Sequence, residues 1–317
     1  MRQSFGRPSH EGRRFPQSEI HTMKFYPHEN ERLRAGAAAI FGFRAHVLFI
    51  GVFLATQVYA AAPAFKLIGH RGGVVEELFP DNSAAALKAA VARGYWGVEI
   101  DIRETKDGVL VMQHDADLMK NFGIPRAIKD VTWEEMSGLR SKSASQAPWR
   151  FEDVIQTTHD AGLHVMLDSK EPHSADFVAK VEAILIAHSM LDRSLIIGSG
   201  DALKHFFGKA PVGLKYRSLR PRLEKDPSLK DSYFLFDEGT TLTPDMVRWA
   251  QSHDVRVVPS INVYHYYETS MQGKSREEMA AIILPRAKAH IEALKALGVT
   301  EFQIDSEFDT WFGAPPQ

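Results

Sequence analysis

Cysteine is absent from the 317-residue sequence. This absence excludes disulfide bonds, thiol nucleophiles, thiolate metal ligands and a lipid-modified cysteine. An excess of one charge is lacking too, because 38 Lys and Arg residues nearly balance 40 Asp and Glu residues. The composition therefore does not favour a protein that binds nucleic acid. Stability must come from packing, and the 44% of hydrophobic residues is ample for a buried core.

A hydrophobic run long enough to span a bilayer comfortably is also missing from the amino-terminal region. Residues 45–62 contain an apolar core of roughly 10 residues after a basic flank. Small residues follow this core, and Val58 and Ala60 are spaced like the residues at positions −3 and −1 of a signal-peptide cleavage site. The segment is typical of a secretory signal peptide whose hydrophobic region lies at about residues 45–58.

The chain is thus predicted to have two parts, a leader over residues 1–62 and a single domain over residues 63–317. The polar start of the leader is long for a signal peptide, so either Met1 or Met23 is expected to begin it. We favour an exported protein, periplasmic or secreted, while an uncleaved anchor and a cytosolic protein stay open. No internal repeat and no low-complexity segment divides the sequence further.

Short apolar runs alternate with amphipathic segments after residue 63. The runs are FKLIG (65–69), GVEIDI (97–102), VLVMQ (109–113), LHVMLD (163–168), SLIIG (194–198), VGLKY (212–216), YFLF (233–236), VRVVPSI (255–261) and EFQID (301–305). Amphipathic stretches such as SAAALKAAVARG (83–94) separate most of them and close on glycine, as helices do. Strands that alternate with helices predict a parallel sheet covered by helices.

The number of these units favours an α/β fold of the (β/α)8 TIM-barrel class, because about eight units in about 255 residues match the size of such barrels. An open, doubly wound sheet is the alternative. Nine runs are one too many for eight strands. We expect YFLF (233–236) to lie outside the barrel, because it is short and turn-forming residues flank it.

Polar side chains recur where these predicted strands end. They are His70 with Arg71 after the first run, Glu99 and Asp101 within the second, His114 after the third, and Asp168 with Lys170 at the end of the fourth. The carboxyl ends of barrel strands form the face that carries the active site in such folds. We therefore expect these side chains to meet in one shared mouth.

Two of the carboxylates are predicted to bind a metal together. Glu99 and Asp101 are two residues apart in a strand, so they project to the same side. Like charges at this distance repel, and their burial is costly unless a cation or a proton neutralises them. With Asp168 from a neighbouring strand, they form an all-oxygen site suited to calcium (Ca2+) or magnesium (Mg2+). The alternative is that the pair contacts only Arg103 or solvent.

Two histidines, His70 and His114, are predicted to flank this cation site. Such an arrangement suits acid–base work on a phosphodiester, in which one ring activates the attacking group and the other protonates the leaving alkoxide. Histidine fits both roles because its unperturbed pKa of about 6.5 allows both protonation states near neutrality. Arg71 and Lys170 would supply fixed positive charge for the phosphate oxygens.

Six motifs in the same order resemble the pattern of the glycerophosphodiester phosphodiesterase family, which reads HRG, PENT, ExD, TKDG, HD and ExK. The motifs here are HRG (70–72), PDNS (80–83), EID (99–101), TKDG (105–108), HD (114–115) and DSK (168–170). The resemblance is strong over about residues 66–118 and weak beyond about residue 172. It implies a TIM-barrel hydrolase that cleaves a small phosphodiester to a phosphomonoester and an alcohol, with a divalent cation.

The resemblance also implies roles by position. His70 and His114 match the acid–base pair, Glu99, Asp101 and Asp168 match the metal ligands, and Arg71 and Lys170 match the phosphate contacts. Asp81, a supporting residue, and Asp168 each stand where the family has the longer Glu. VVPSINVYHYY (257–267) and a helical insertion at about 275–297 replace late family sequence, which leaves the alcohol part of the substrate open.

Two alternative functions stay open at this point. The first is a phospholipase similar to sphingomyelinase D, which shares the barrel and the histidines and acts on membrane lipids. Exposed aromatic residues in NVYHYYETSM (262–271) would favour it. The second is a relative that binds a phosphorylated ligand without turnover, against which the intact pair of histidines argues. No stable protein partner is inferred.

Overall fold

The structure is a computed structural model that describes residues 65–75, 80–170 and 175–313. The predicted leader, with its signal peptide and both candidate starts, lies outside the described residues. The described strands are β1 (Lys66–Gly69), β2 (Gly97–Glu104), β3 (Leu110–Met112), β4 (Asp117–Leu118), β5 (Ile124–Ala127), β6 (His164–Ser169), β7 (Ser194–Gly198), β8 (Val212–Leu214), β9 (Tyr233–Leu235), β10 (Arg256–Val257), β11 (Ser260–Ile261) and β12 (Glu301–Ile304).

Helices follow most of the strands. They are α1 (Ala84–Ala92), α2 (Met119–Phe122), α3 (Trp133–Ser137), α4 (Phe151–Asp160), α5 (Ala175–Ala187), α6 (Gly200–Phe206), α7 (Tyr216–Lys225), α8 (Pro244–Ser252) and α9 (Arg276–Ala296). The helical insertion predicted at about 275–297 is α9. Among the residues described, no helix combines the length and the apolar character needed to cross a bilayer.

Nine strands form one curled sheet in the order β10-β9-β8-β7-β6-β2-β1-β12-β11. Every neighbouring pair along this order runs parallel. Parallel strands that alternate with covering helices make the fold TIM-barrel-like, as the sequence predicts. β3 pairs only with β2, and β4 and β5 form a separate antiparallel pair.

The two ends of this sheet, β10 and β11, are consecutive pieces of one extended segment separated by Val258 and Pro259. The regular ladder is interrupted there, and a fully closed eight-stranded barrel is not formed by continuous strand pairing. Proline interrupts a ladder because it has no N–H to donate. Single bonds still reach both neighbours: Val258 donates to the Leu235 carbonyl (2.9 Å), and the Pro259 carbonyl accepts from the Gln303 amide (3.0 Å).

The surplus run is β3 and not β9, so the expectation for YFLF was wrong. β9 pairs with β8 on one side and with β10 on the other. VLVMQ instead forms β3, which returns antiparallel along β2 after a turn at Thr105–Gly108. Gly108 adopts φ +80° in this turn, a conformation that glycine permits. An apolar run by itself does not distinguish a barrel strand from the returning arm of a hairpin.

The sheet separates two apolar regions. Val98 and Ile100 of β2 belong to the large core under the helices, together with Leu87 of α1 and Val154 of α4. A smaller cluster lies on the inner face of the curled sheet and consists of Ile68, Met166, Leu195, Ile197, Phe234 and Val258. Glu99 is in register with Met166, so the alternate residues of β2 face the inside.

Trp96 packs against this inner cluster at the amino-terminal end of the strands. Its ring stacks on the His164 ring with 3.7 Å between centroids. The charged ends of Lys66 and Arg256 lie 5.2 and 5.0 Å from the centre of the Trp96 ring, within the range of cation–π attraction. Glu301 forms ion pairs with both cations, so charged side chains pack over Trp96 at this end of the sheet.

Candidate active site

Three carboxylates meet at the inner face of the sheet. Glu99 and Asp101 lie on β2 and Asp168 lies on β6, and Asp101 is directly in register with Asp168. Ligand oxygens of the three residues lie within 4.8 Å of one another. Glu99 and Asp101 are fully buried, whereas Asp168 is partly exposed. The alternation of β2 and the pairing with β6 thus bring together the three residues that the sequence predicts as metal ligands.

The charges in this cluster do not balance. Lys170 pairs with Asp168 and lies 3.1 Å from Asp101, and these partners outweigh burial and raise the pKa of Lys170. Lys170 in turn outweighs burial at Asp101 and holds the pKa of that carboxyl well below its usual range. Burial, followed by the charge of Asp101, raises the pKa of Glu99 well above its usual value. Lys170 therefore offsets only part of the negative charge of the three carboxylates.

The residues present fit a hard divalent cation. Glu99 accepts a hydrogen bond from the Arg71 amide through Oε2 (2.7 Å), but its Oε1 is buried with no hydrogen-bond partner among the described residues. A buried carboxylate oxygen without a partner is costly. The donor set is entirely carboxylate oxygen, which is the ligand type that Ca2+ and Mg2+ prefer.

The HRG motif forms a short 3-10 turn, His70–Gly72, immediately after β1. Arg71 adopts a left-handed conformation (φ 55°) within it, and its amide points at Glu99. Gly73 follows with φ +127°, and a Cβ there would lie 2.6 Å from the Ala86 carbonyl of α1. Glycine is therefore required for the turn to pack this closely on the helix. The outcome is that His70 and Arg71 both lie buried beside the carboxylates.

His70 contacts a carboxylate that sequence reasoning missed. Its Nδ1 lies 2.6 Å from Oδ1 of Asp305, the residue after β12. The other oxygen of Asp305 accepts a hydrogen bond from the Val263 amide (2.7 Å). Burial lowers the pKa of His70, and Asp305 opposes this effect. The signal for Asp305 was its place at the end of the last apolar run, EFQID, where the strand-end rule applies as it does to Asp168.

His114 reaches the site by a different route from the one predicted. The sequence placed it after a parallel barrel strand, but β3 runs antiparallel to β2 and carries the chain back along it. The Gln113 amide donates to the Asp101 carbonyl (3.0 Å), so His114 comes level with the carboxylates. Arg103 then holds the His114 carbonyl through Nε (2.9 Å) and Nη2 (2.6 Å).

The ring of His114 is held at both nitrogens. Nδ1 lies 2.7 Å from Oδ1 of Asp115, and Nε2 lies 2.8 Å from Nη2 of Arg71. Arg71 Nη1 also donates to Oδ2 of Asp81 (3.2 Å). Because Arg71 touches both Asp81 and His114, Asp81 supports His114 through the guanidinium. The two residues predicted as phosphate contacts, Arg71 and Lys170, are thus each held by carboxylates at the edge of the cluster.

The PDNS motif contributes more than a helix start. Ser83 caps α1 by accepting a hydrogen bond from the Ala86 amide (3.2 Å). Its neighbour Asn82 donates to Oδ2 of Asp101 (2.9 Å), a contact that was not predicted from the sequence. Asp81 accepts from Asn121 of α2 (2.9 Å) and pairs with Lys120 of the same helix.

A cavity of about 130 Å³ opens beside the cluster of three carboxylates. The residues that line it are His70, Asp168, Lys170, Ile197, Lys215, Phe236, Asp237, Glu238, Ser260, Asn262, Tyr264, His265 and Gln303. Tyr264 faces His70 with 6.3 Å between ring centroids, and its hydroxyl accepts from Asn262 Nδ2 (3.2 Å). The segment that departs from the family pattern, residues 257–267, therefore forms much of the wall next to His70.

A model of the glycerophosphoryl diester phosphodiesterase family matches residues 70–207. Glycerophosphodiester phosphodiesterase 1 of Rattus norvegicus is 32% identical over 108 residues, which cover 34% of this chain and 32% of the relative. The chain thus matches about a third of that relative's own length.

Solved structures share the fold. A glycerophosphoryl diester phosphodiesterase from Parabacteroides distasonis superposes with a TM-score of 0.59 at 19% identity, over 80% of this chain and 88% of that one. A phosphodiesterase from Oleispira antarctica, in complex with the product sn-glycerol-3-phosphate, gives a TM-score of 0.59 at 17% identity, over 78% and 95%. Over residues 70–207, fewer than half of the 317 in the chain, the sequence is therefore similar to the glycerophosphoryl diester phosphodiesterase family, and these solved structures share its fold.

Proposed function

We propose that this protein hydrolyses glycerophosphodiesters, or closely related small phosphodiesters, to a phosphomonoester and an alcohol. The observation that carries the proposal is the cluster of Glu99, Asp101 and Asp168, whose oxygens lie within 4.8 Å of one another at a cavity that His70 lines. The family match over residues 70–207 supports the reaction class, and the product in the Oleispira antarctica structure supports a glycerophosphodiester as substrate.

Glu99, Asp101 and Asp168 would hold one divalent cation, Ca2+ or Mg2+. When bound, such a cation stabilises negative charge on the phosphoryl oxygens. Lys170, which already pairs with Asp168, places a further positive charge next to the same oxygens. Arg71 is the second proposed phosphate contact, because its guanidinium lies between Asp81 and His114 at the edge of this cluster.

His70 and His114 would perform the acid–base chemistry. One ring accepts a proton from the attacking water while the new P–O bond forms, and the other donates a proton to the alkoxide oxygen as the second P–O bond breaks. His70 engages Asp305 through Nδ1, which leaves Nε2 for proton transfer at the cavity. Most of the side chains that line the cavity are polar or charged, among them Lys215, Asp237 and Glu238, which suits a small polar alcohol better than a long acyl chain.

The alternative of a phospholipase similar to sphingomyelinase D is not favoured. It would call for exposed aromatic side chains in residues 262–271, but Tyr266 is only 4% exposed and Tyr264 lines the cavity. A relative without turnover is not favoured either, because both histidines lie in hydrogen-bonded positions at the cluster.

Three finer predictions stay part of the proposal. Residues 63–317 would fold as one (β/α)8 domain, with residues 256–261 acting as a single interrupted barrel strand. The leader with its hydrophobic region at about residues 45–58 would direct export to the periplasm or the medium. The partner of the domain is a small phosphodiester, and neither nucleic acid nor a stable protein partner is proposed.

Phosphorus NMR tests the function directly. Purified protein is incubated with a panel of glycerophosphodiesters that differ in the alcohol, before and after treatment with a chelator. We expect a phosphomonoester signal that chelation abolishes and that Ca2+ or Mg2+ restores. His70→Ala and His114→Ala should each lower kcat by about 100-fold or more. Hydrolysis that persists in chelator, or at nearly full rate in either variant, would contradict the mechanism.

The surface offers a matched control for these variants. His159 also pairs with a neighbouring carboxylate, Asp160 (3.0 Å), but lies exposed on α4. His159→Ala should therefore leave the rate unchanged. An equal loss in this variant would show that the histidine substitutions act through stability and not through the site.

A further inference from the structure

We propose that Asp305 is a positioning residue that fixes the tautomer and the orientation of His70. The proposal rests on the proposed function, because it concerns the ring that would transfer the proton. Asp305 ends the last apolar run, EFQID (301–305), in the part of the chain where the family resemblance is weak, and it was not among the predicted site residues.

The sheet itself places the two residues side by side. β1 and β12 are parallel neighbours, and Gly69 is in register with Ile304. The first residue after β1 is His70 and the first after β12 is Asp305, so both residues leave the sheet at the same level. Their side chains then meet with 2.6 Å between Nδ1 and Oδ1.

The carboxylate is held from a second direction. Oδ2 of Asp305 accepts the hydrogen bond of the Val263 amide (2.7 Å), which comes from the turn that carries Tyr264. The pKa of Asp305 is lowered, because His70 and this amide outweigh the effect of burial. An ionised carboxylate only accepts hydrogen bonds, so the shared proton must reside on Nδ1 of His70. The lone pair of the neutral ring then lies on Nε2.

The ring has little freedom to turn away from this position. His70 is 5% exposed, and the Tyr264 ring lies 6.3 Å from it, centroid to centroid. Because the Val263 amide and the Tyr264 ring belong to one turn, Asp305 also ties the wall of the cavity to His70. If Asp305 served only to anchor this turn, its contact with the Val263 amide would be enough. The tautomer of the His70 ring would then not depend on Asp305.

Asp305→Asn separates these two roles. The Asn oxygen can replace one acceptor but not both, and its NH2 group favours the wrong tautomer of the ring. We expect kcat to fall by about 10² to 10⁴-fold, with KM changed less than about threefold. Asp309→Asn is the matched control, because Asp309 accepts from Arg93 (2.7 Å) and Tyr95 (3.2 Å) in the same terminal segment, away from the cavity.

Steady-state kinetics and the thermal midpoint are measured for both variants. The proposal predicts a large loss of kcat in Asp305→Asn alone, without a matching loss of stability relative to Asp309→Asn. It is overturned if Asp305→Asn keeps kcat within about threefold, or if both variants lose kcat in proportion to their thermal midpoints.

Ring ¹⁵N NMR gives a readout that does not depend on activity. A His70→Asn spectrum identifies the His70 signals among the 14 histidines. In the unmodified protein, the neutral His70 ring should carry its proton on Nδ1, and Asp305→Asn should change this tautomer while the other rings stay as they were. A proton on Nε2 of His70 in the unmodified protein overturns the proposal, even if Asp305→Asn does not fold.

The two proposals fail separately in these experiments. If the unmodified protein hydrolyses none of the diesters, the proposed function is wrong, and the ¹⁵N spectrum still decides whether Asp305 sets the tautomer of His70.

Discussion

Replacement of Asp81 by Asn tests the charged support beneath His114. The Asp81 side chain is 5% exposed and lies between Arg71 and Lys120, and it also accepts from Asn121 (2.9 Å). Burial alone would raise the pKa of Asp81, but Lys120 and Arg71 outweigh it and hold the pKa well below its usual range. Asp81 is therefore ionised at neutral pH and compensates two cations in a buried place.

The size of the effect follows from the burial of the partner. The Arg71 side chain is also 5% exposed. Asp81→Asn therefore leaves the positive charge of Arg71 buried without the negative charge of its ion-pair partner. Removal of one member of a buried ion pair typically costs about 3–5 kcal/mol. The whole free energy of unfolding of a domain is only about 5–15 kcal/mol. Asp81→Asn should therefore lower the urea midpoint strongly, and it should also lower kcat, because Arg71 holds Nε2 of His114.

Urea unfolding at neutral pH measures this cost, with Asp245→Asn as the control. Asp245 pairs with Arg248 at 2.9 Å, but its side chain is 94% exposed, so the control should leave the midpoint unchanged. The folded-state pKa of Asp81 is depressed, so its contribution is present at neutral pH and is lost as the pH falls below about 4. The gap between Asp81→Asn and the unmodified protein should close over that range. A loss below about 1 kcal/mol at neutral pH would refute the argument.

Two further predictions concern other parts of the fold. Gly198→Ala should weaken cation binding, because a Cβ there would lie 2.4 Å from Oδ1 of Asp168 and 2.4 Å from the backbone oxygen of Ser169, the next residue of β6. Gly208→Ala shares a positive φ but meets nothing within 4 Å, so it should cost only stability. Titration calorimetry with the cation separates crowding around Asp168 from the strain of a positive φ. Equal affinities of the two variants for the cation would contradict the prediction. Burial, aided by nearby cations, lowers the pKa of His164 to about 4. Between about pH 6.5 and 4 the unfolded chain then takes up a proton on His164 that the folded chain does not. The urea midpoint should therefore decrease as the pH is lowered over this range, and the decrease should be smaller in His164→Gln. An identical pH dependence in both proteins would count against this reading.

The part of the site on β2 could be predicted because it depends on local geometry. Alternation along a strand places Glu99 and Asp101 on one face, whatever the rest of the fold does. Asp168 follows from the rule that parallel strands end at a common edge, and the register with Asp101 bears that out. These positions depend on strand period and strand direction, which sequence patterns carry well.

His114 shows where such reasoning ends. Its strand was predicted as parallel, yet β3 is the return arm of a hairpin, and the direction of a short apolar run is set by the turn before it and by pairing. Lys120 and Asn121 could not be placed from the sequence, because the approach of α2 to Asp81 depends on tertiary packing. Asp305 was within reach, since it follows the last predicted strand, but a single Asp carries no motif.

Titration calorimetry with Ca2+ and Mg2+ tests the central claim most directly, because it measures binding by the three carboxylates without reference to turnover. The unmodified protein should bind one divalent cation per chain, and Glu99→Gln should bind it at least about tenfold more weakly, since it removes a charged ligand from a buried site. No binding to the unmodified protein, or equal affinity in Glu99→Gln, would contradict the account.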